Sequence, residues 1–165
     1  MLDTKTLSFT AYTSADLPQV RALHALSFKT LASGTHSAQQ IHAHLKYMHS
    51  DEYADDLERS NVQCALNGNG DLIATAGWLW MDEAPSTARL RKVFVHPEHA
   101  GTGLGRTMVE RVEDMAKSDG GEDYFVRANI NAKGFYQRLG YAPIKPGTMD
   151  VRDGMSLPVM FMHKG

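Results

Sequence analysis

A glycine-rich loop at residues 101–105 carries the most chemical information in this 165-residue chain. Gly101, Gly103 and Gly105 alternate with other residues, after an apolar run that ends at Val95 and before a helical pattern. Where a strand leads into such a loop and the loop leads into a helix, backbone N–H groups and the positive end of the helix dipole point toward one place. Glycine also lets a ligand approach the backbone because it lacks a Cβ. The segment predicts a phosphate or pyrophosphate site, with a tight turn that binds no ligand as the alternative.

The glycine spacing disfavours the two common nucleotide-binding motifs. The dinucleotide fingerprint has two residues before its last glycine, whereas only Leu104 separates Gly103 from Gly105. A P-loop ends in Gly-Lys-Ser/Thr, whereas Arg106 follows Gly105 here. A domain that binds ATP or NAD through this loop is therefore disfavoured.

Two motifs in this order resemble those of the GNAT superfamily of N-acetyltransferases, which use acetyl-CoA. The first is the phosphate loop, Gln/Arg-x-x-Gly-x-Gly/Ala, which Gly103 and Gly105 match and from which Ala100 departs. The second is Asn-x-x-Ala-x-x-Phe-Tyr followed by a glycine and an aromatic residue, matched within residues 129–141. A helix and a strand are predicted between the motifs, as in that superfamily. The resemblance covers roughly residues 5–145.

The resemblance implies an α/β (α+β) fold, with residues 1–165 as a single domain. Its mixed sheet would be mostly antiparallel, with one splayed parallel pair of strands flanked by helices. Acetyl-CoA would lie in the splay, its pantetheine arm bonded to a strand backbone and its pyrophosphate on the loop amides. Ala100 would remove one side-chain contact to the phosphates and leave those amides in place. The cofactor-binding residues implied in this way are Val93, Phe94, Val95, Gly101, Thr102, Gly103, Leu104, Gly105, Arg106, Asn129 and Tyr136.

Tyr136 is the catalytic residue that the resemblance implies, because the tyrosine of the second motif lies near the CoA sulfur in those families. A phenol can protonate a departing thiolate where geometry and environment assist. The alternative is an aromatic ring packed against the sheet, with its hydroxyl bonded to a carbonyl. Asn129 is predicted either to contact pantetheine or the acceptor, or to cap a helix, although Asn131 is the favoured cap.

The general base that would take a proton from an amine acceptor is left open. Many members of the superfamily carry a Glu on the fourth strand, where the polar positions here hold Arg89, Arg91 and Lys92. The remaining candidates are an ordered water, Glu83, His96 and Glu98.

The charge of the acceptor is also left open, because two signals oppose each other. Arg89 and Arg91 favour an acceptor that carries a carboxylate. An acidic run would attract a cationic amine instead, or would form only a solvated face. Its members are Asp51, Glu52, Asp55, Asp56 and Glu58.

Composition excludes several other classes of protein. Lys and Arg total 17, Asp and Glu total 19, and the net charge of −2 provides no basic surface for nucleic acid or anionic lipid. The single cysteine, Cys64, cannot form an intrachain disulfide, which favours a reducing compartment. No apolar run reaches the length of a membrane helix and residues 1–5 do not begin a signal peptide, so a cytoplasmic location is predicted. The eight histidines lack the spacing of a zinc site, so no metal is predicted.

Hydrophobic periodicity predicts the elements that position these residues. Strands are predicted at residues 7–12, 62–66, 72–81, 88–95, 124–128 and 157–163, with turns at 67–71 and 82–87. Four helices are predicted. The first follows a cap at Ser14 or Asp16, the second follows the capping box of Ser37 and Gln40, and the other two span 105–118 and 132–139. Residues 51–60 show no clear pattern.

The sequence thus predicts an enzyme that transfers an acetyl group from acetyl-CoA to a primary amine, by direct attack in a ternary complex. A small-molecule acceptor is favoured over a protein. The alternative is a non-catalytic acyl-CoA-binding or sensor domain of the same fold. A homodimer that pairs through the last strand, common in the superfamily, is also expected.

Overall fold

A computed structural model describes residues 6–165 of the chain as seven strands and five α-helices, joined in places by short 3-10 turns. The strands are β1 (Ser8–Ala11), β2 (Gln63–Leu66), β3 (Leu72–Met81), β4 (Ala84–Val95), β5 (Asp123–Asn129), β6 (Ala142–Asp150) and β7 (Ser156–Lys164). The helices are α1 (Leu17–Ala32), α2 (Ala38–Met48), α3 (Asp51–Arg59), α4 (Leu104–Ser118) and α5 (Lys133–Arg138). The prediction about a signal peptide concerns residues 1–5 and lies outside the described residues. The single-domain assignment of 1–165 stays a prediction.

All seven strands form one sheet in the order β1-β2-β3-β4-β5-β7-β6. Neighbours pair antiparallel except β4 and β5, which run parallel. The predicted mixed, mostly antiparallel sheet with one parallel pair is therefore confirmed. The parallel ladder runs from Thr87 and Asp123 to Leu90 and Val126 and goes no further. We call the point past Leu90 and Val126 the split.

Helices cover both faces of the sheet. On one face, α4 packs Met108, Val109 and Val112 against a core that includes Leu90 and Val126. This apolar stripe has the helical spacing that the sequence shows. On the other face, α1, α2 and α3 enclose a second core. Its buried members include Val20, Phe28, Met48, Tyr53, Leu57 and Cys64.

Helix α3 lies in the acidic segment for which no regular structure was predicted. Ser50 caps the helix by accepting a hydrogen bond from the amide of Tyr53. The carboxylates of Asp51 and Glu52 in the first turn interact favourably with the positive end of the helix dipole. The buried positions are Tyr53, Asp56 and Leu57. Because one of the three is a carboxylate, the apolar stripe is too short to be visible in the sequence.

Two strand predictions were incomplete. Strand β4 begins at Ala84 rather than residue 88, so most of the predicted turn at 82–87 belongs to the strand. Strand β6 was not predicted, because most of its residues are exposed and it contains Pro143 and Pro146. Proline is found mainly on edge strands, and β6 is one of the two edge strands of this sheet.

Strand β7 is an interior strand, paired with β5 on one side and with β6 on the other. Its backbone edges are therefore occupied, and β6 is the strand that presents a free edge next to it. Homodimerisation through the final strand stays a prediction. Separately, no helix within residues 6–165 has both the length and the apolarity needed to cross a membrane.

Candidate active site

Strand β4 carries a β-bulge just past the split. Its register with β3 shifts between Thr75 and Gly77, and Lys92 adopts a left-handed φ of 56°. The Thr75 hydroxyl donates to the Lys92 carbonyl at 2.7 Å, which holds the bulge in place. Beyond it, the segment 93–95 pairs with β3 but has no ladder to β5. The predicted pantetheine segment, Val93, Phe94 and Val95, thus offers an open backbone edge at the split.

The glycine-rich loop presents unused N–H donors at the start of α4. Gly101 and Gly103 have φ values of 76° and 90°, and Gly103 is the N-cap of α4 without any side-chain cap. Within residues 6–165, no hydrogen bond engages the backbone amides of Gly101, Gly103, Leu104, Gly105 and Arg106. Thr102 differs, because its amide and hydroxyl both donate to the His99 carbonyl. Five of the six predicted loop residues therefore keep their N–H groups free for an anion.

Gly105 lies where three elements meet. A Cβ on Gly105 would come within 3.0 Å of the Phe135 ring and 3.6 Å of Val95. The absence of a side chain therefore lets the first turn of α4 pack against both the end of β4 and α5. Close approach of these elements places the free amides beside the split.

Tyr136 lies on α5 and is only 5% exposed. Its ring packs against Phe135 and Tyr141, at centroid distances of 5.0 and 5.5 Å. Among the described residues the Tyr136 hydroxyl has no hydrogen-bond partner, so the carbonyl bond of the packing alternative is not found. Burial raises the pKa of Tyr136, so the phenol keeps its proton at neutral pH.

Asn129, at the end of β5, is the residue that caps the following 3-10 turn. Its side-chain oxygen accepts from the Asn131 amide at 3.1 Å. The prediction that Asn131 is the cap was therefore wrong, since the Asn131 side chain donates instead to the Leu31 carbonyl. The amide nitrogen of Asn129 lies 3.4 Å from His36 Nε2, which brings the α1–α2 connection to the split.

Three buried histidines near the split were not predicted as site residues. His24 bonds to Tyr53 at 2.6 Å and to Thr75 at 2.8 Å, and its ring stacks on Phe94 with centroids 4.0 Å apart. The rings of His36 and His44 both pack against the Phe28 ring, at centroid distances of 6.0 and 4.4 Å. In the sequence only His24 stands out, at a helical spacing from Val20; the partners of all three come from distant segments.

His44 makes the stability of the protein depend on pH. Burial, with the charges of Lys92 and His36, lowers the pKa of His44 from 6.5 to about 4. The unfolded chain therefore binds the extra proton between pH 6.5 and 4, and the free energy of unfolding falls by up to about 3 kcal/mol over that range. Replacement of His44 by Phe is expected to flatten the fall in Tm between pH 6.5 and 4.

The exposed neighbour His42 provides the control for that measurement. His42→Phe should retain the wild-type dependence of Tm on pH. Because the Nδ1 atom of His44 is buried and has no hydrogen-bond partner within residues 6–165, His44→Phe should not lower Tm at pH 7. An unchanged acid slope in His44→Phe would contradict this account.

A buried ion cluster joins α3 to the bulge. Asp56 accepts hydrogen bonds from Arg59 and Arg91, and Lys92 Nζ lies 3.0 Å from its carboxylate. Burial alone would raise the pKa of Asp56, but the cations around it hold that pKa well below its usual range. Burial lowers the pKa of Lys92 to about 8 against the opposing charge of Asp56. The negative charge of Asp56 is therefore neutralised by the protein's own cations and is not free to attract a cationic acceptor.

The candidates for general base lie at two places, with Glu83 apart from His96 and Glu98. Glu83 is in the turn before β4, roughly 30 Å along the strand from the bulge. His96 directly follows β4, and its Nδ1 accepts from the Glu98 amide at 3.1 Å. The Glu98 side chain is exposed. In the part of the chain that the structure describes, no group of three His, Cys, Asp or Glu residues is arranged to hold a metal ion.

A family model described as "Acetyltransferase (GNAT) domain" matches residues 32–163 of the chain. Among curated proteins, the "Uncharacterized N-acetyltransferase MJ1207" of Methanocaldococcus jannaschii is 28% identical over 83 residues, which cover 47% of this chain. The match spans only 37% of that relative's length.

Two solved structures share the fold across the described sheet and helices. The "GCN5-Related N-acetyltransferase: Aminotransferase, Class-II" of Rhodopseudomonas palustris superposes with a TM-score of 0.85 at 22% identity, covering 100% of this chain and 99% of that one. PaiA N-acetyltransferase of Thermoplasma acidophilum, in complex with coenzyme A, has a TM-score of 0.77 at 17% identity, with coverage of 96% and 98%. At these identities the likeness concerns the fold.

Proposed function

Because the chain belongs to the GNAT acetyltransferase family, we propose that it transfers an acetyl group from acetyl-CoA to a primary amine of a small molecule. The observation that carries the proposal is the row of free amides at the start of α4, directly beside the split between β4 and β5. Such amides bind a pyrophosphate through charge-assisted hydrogen bonds. The coenzyme A complex of the Thermoplasma protein with the same fold supports an acyl-CoA as the ligand.

The chain's own residues would bind and orient this co-substrate. The free amides of Gly101 and of residues 103–106 would hold the pyrophosphate. The open backbone edge of 93–95 would bond to the pantetheine arm as an added strand does. Asn129 ends β5, across the split from the segment 93–95, and would limit the path of the pantetheine arm. Two reactants fixed in this way react as if intramolecular, which supplies much of the rate.

Tyr136 would supply the proton for the leaving group. As the amine nitrogen attacks the thioester carbonyl, the carbon–sulfur bond breaks and Tyr136 Oη donates its proton to the departing thiolate. Its ring is buried, and its hydroxyl has no hydrogen-bond partner among the described residues, which supports this role. Ordered water is the proposed acceptor for the amine proton. Glu83 lies at the opposite end of β4 from the split, His96 Nδ1 already accepts from the Glu98 amide, and the Glu98 side chain is exposed.

A second candidate function is a non-catalytic acyl-CoA sensor. The lack of a carboxylate at the polar positions of β4 and the small Ala100 beside the loop both favour it. Release of free thiol from acetyl-CoA in the presence of a panel of primary amines distinguishes the two. Thiol release that requires both protein and amine supports the enzyme. Binding of acetyl-CoA without release for any amine supports the sensor.

A further inference from the structure

Three arginines from neighbouring strands lie on one face of the sheet at the split. Leu90 and Val126, the last pair of the parallel ladder, point into the core beneath α4. Since side chains alternate along a strand, Arg89, Arg91 and Arg127 point to the opposite face. The contact of Arg91 with Asp56 of α3 places them on the side covered by α1 to α3.

The three arginines differ in how their charges are neutralised. Arg91 is fixed by two hydrogen bonds to Asp56. Among residues 6–165, neither Arg89 nor Arg127 forms an ion pair or a hydrogen bond, and Arg89 Nε is buried without a partner. Burial and the charges of the neighbouring arginines lower the pKa of Arg89 to about 10 and also lower the pKa of Arg127. Both remain cations at neutral pH.

Half-buried cations that no described carboxylate contacts are costly, and the more distant charges of Asp56 and Asp150 offset that cost in part. An anionic ligand would stabilise this arrangement further. A guanidinium presents parallel N–H donors that match the two oxygens of a carboxylate. We infer that Arg89 and Arg127 bind a carboxylate of the acceptor, so that the acceptors are amino acids and related amines that carry a carboxylate. This inference rests on the proposed acetyltransferase function.

The position of the pair also orients such an acceptor. Arg127 is at the split itself, and Arg89 is just before it on β4. These guanidinium groups repel a protonated amine and offer a neutral amine no favourable contact. The amine end of the acceptor would therefore point away from them, toward the thioester in the split. Phe125, level with Arg89, stacks on Phe161, level with Arg127. These rings would limit the access of water to an arginine–carboxylate pair and so strengthen it.

The test compares L-amino acids with their amides as acceptors, because the two share the amine and differ in the carboxylate. Turnover is followed by thiol release from acetyl-CoA. In Arg89→Gln and Arg127→Gln, kcat/KM for the acids is expected to fall about 30-fold, while kcat/KM for the amides stays within about threefold. The ratio of variant to wild type cancels the different amine pKa values of acid and amide.

Arg111→Gln provides the control, because Arg111 lies on α4 at the other face of the sheet and contacts Phe9 and Gln63. It should leave both substrate classes unchanged. Because Arg89 and Arg127 repel each other, their variants should unfold at the wild-type Tm or above it. A lower Tm with parallel losses for acids and amides would show a structural role and overturn the inference.

The remaining outcomes separate this inference from the proposed function. Selective turnover of amines without a carboxylate, unaffected by the arginine variants, would refute the inference and leave the acetyltransferase standing. If acetyl-CoA does not bind, the proposed function itself fails. If acetyl-CoA binds but no amine is acetylated, calorimetric titration with N-acetyl amino acids and with their amides compares binding of the acid with binding of the amide. Equal binding of acid and amide would then overturn the inference.

Discussion

Replacement of Tyr136 by phenylalanine is expected to lower kcat by about 100- to 1000-fold while the Kd of acetyl-CoA changes by less than about twofold. The variant removes one hydroxyl that makes no hydrogen bond within the described chain, and it keeps the ring that packs against Phe135 and Tyr141. Only the proton for the leaving thiolate is lost. Steady-state kinetics and calorimetric titration with acetyl-CoA measure the two quantities separately.

Tyr141→Phe is the matched control for that experiment. Tyr141 is equally buried in the same cluster, but its hydroxyl donates to Glu113 at 2.7 Å. Its loss should lower the free energy of unfolding by about 1–3 kcal/mol, since a charged acceptor loses a donor, and should leave kcat within about threefold. If Tyr136→Phe instead lowered stability and spared kcat, the tyrosine would serve packing, and the acid would have to be another group.

Replacement of Gly103 by alanine is expected to raise the Kd of acetyl-CoA by about 100-fold. Gly103 caps α4 at a φ of 90° and is flanked by free amides, so a Cβ there enters the space that the pyrophosphate needs. Displacement of the loop would also misalign one or two charge-assisted hydrogen bonds, each contributing about 1.5–3 kcal/mol. Calorimetry with acetyl-CoA measures the change.

Gly120 allows the backbone effect of this substitution to be subtracted. It follows the other end of α4 at a φ of 99°, and a Cβ at either glycine would meet no atom within 4 Å. Gly103→Ala and Gly120→Ala should therefore lower the free energy of unfolding by similar amounts, about 1 kcal/mol each. Equal affinities of the two variants for acetyl-CoA would exclude Gly103 from the binding site.

The elements that hold the loop could be predicted because their signals are local. The stripe of Met108, Val109 and Val112 is long enough to define α4, and Gly101 and Gly103 adopt the positive φ values that mark a glycine turn. The two motifs at the loop and at residues 129–141 also indicated the family, and the family model over 32–163 confirms that resemblance. The parallel pair of strands then followed from the resemblance.

The features that escaped prediction depend on partners far away in the chain. Asp56 reads as a surface acid, but Arg91 and Lys92 of β4 let α3 bury it. His24 reads as one position of a helical stripe, while its bonds reach Tyr53 and Thr75. Strand β6 pairs on one side only and is largely exposed, so no alternation of apolar residues marks it.

Calorimetric titration of the protein with acetyl-CoA, with ATP and NAD as comparison ligands, tests the central claim most directly. The claim is that the free amides at the start of α4 and the open edge of β4 form one acyl-CoA site. The expected result is saturable binding of acetyl-CoA at one site per chain, weakened about 100-fold in Gly103→Ala, with no comparable binding of ATP or NAD. Absence of acetyl-CoA binding, or equal binding of all three ligands, would contradict the claim.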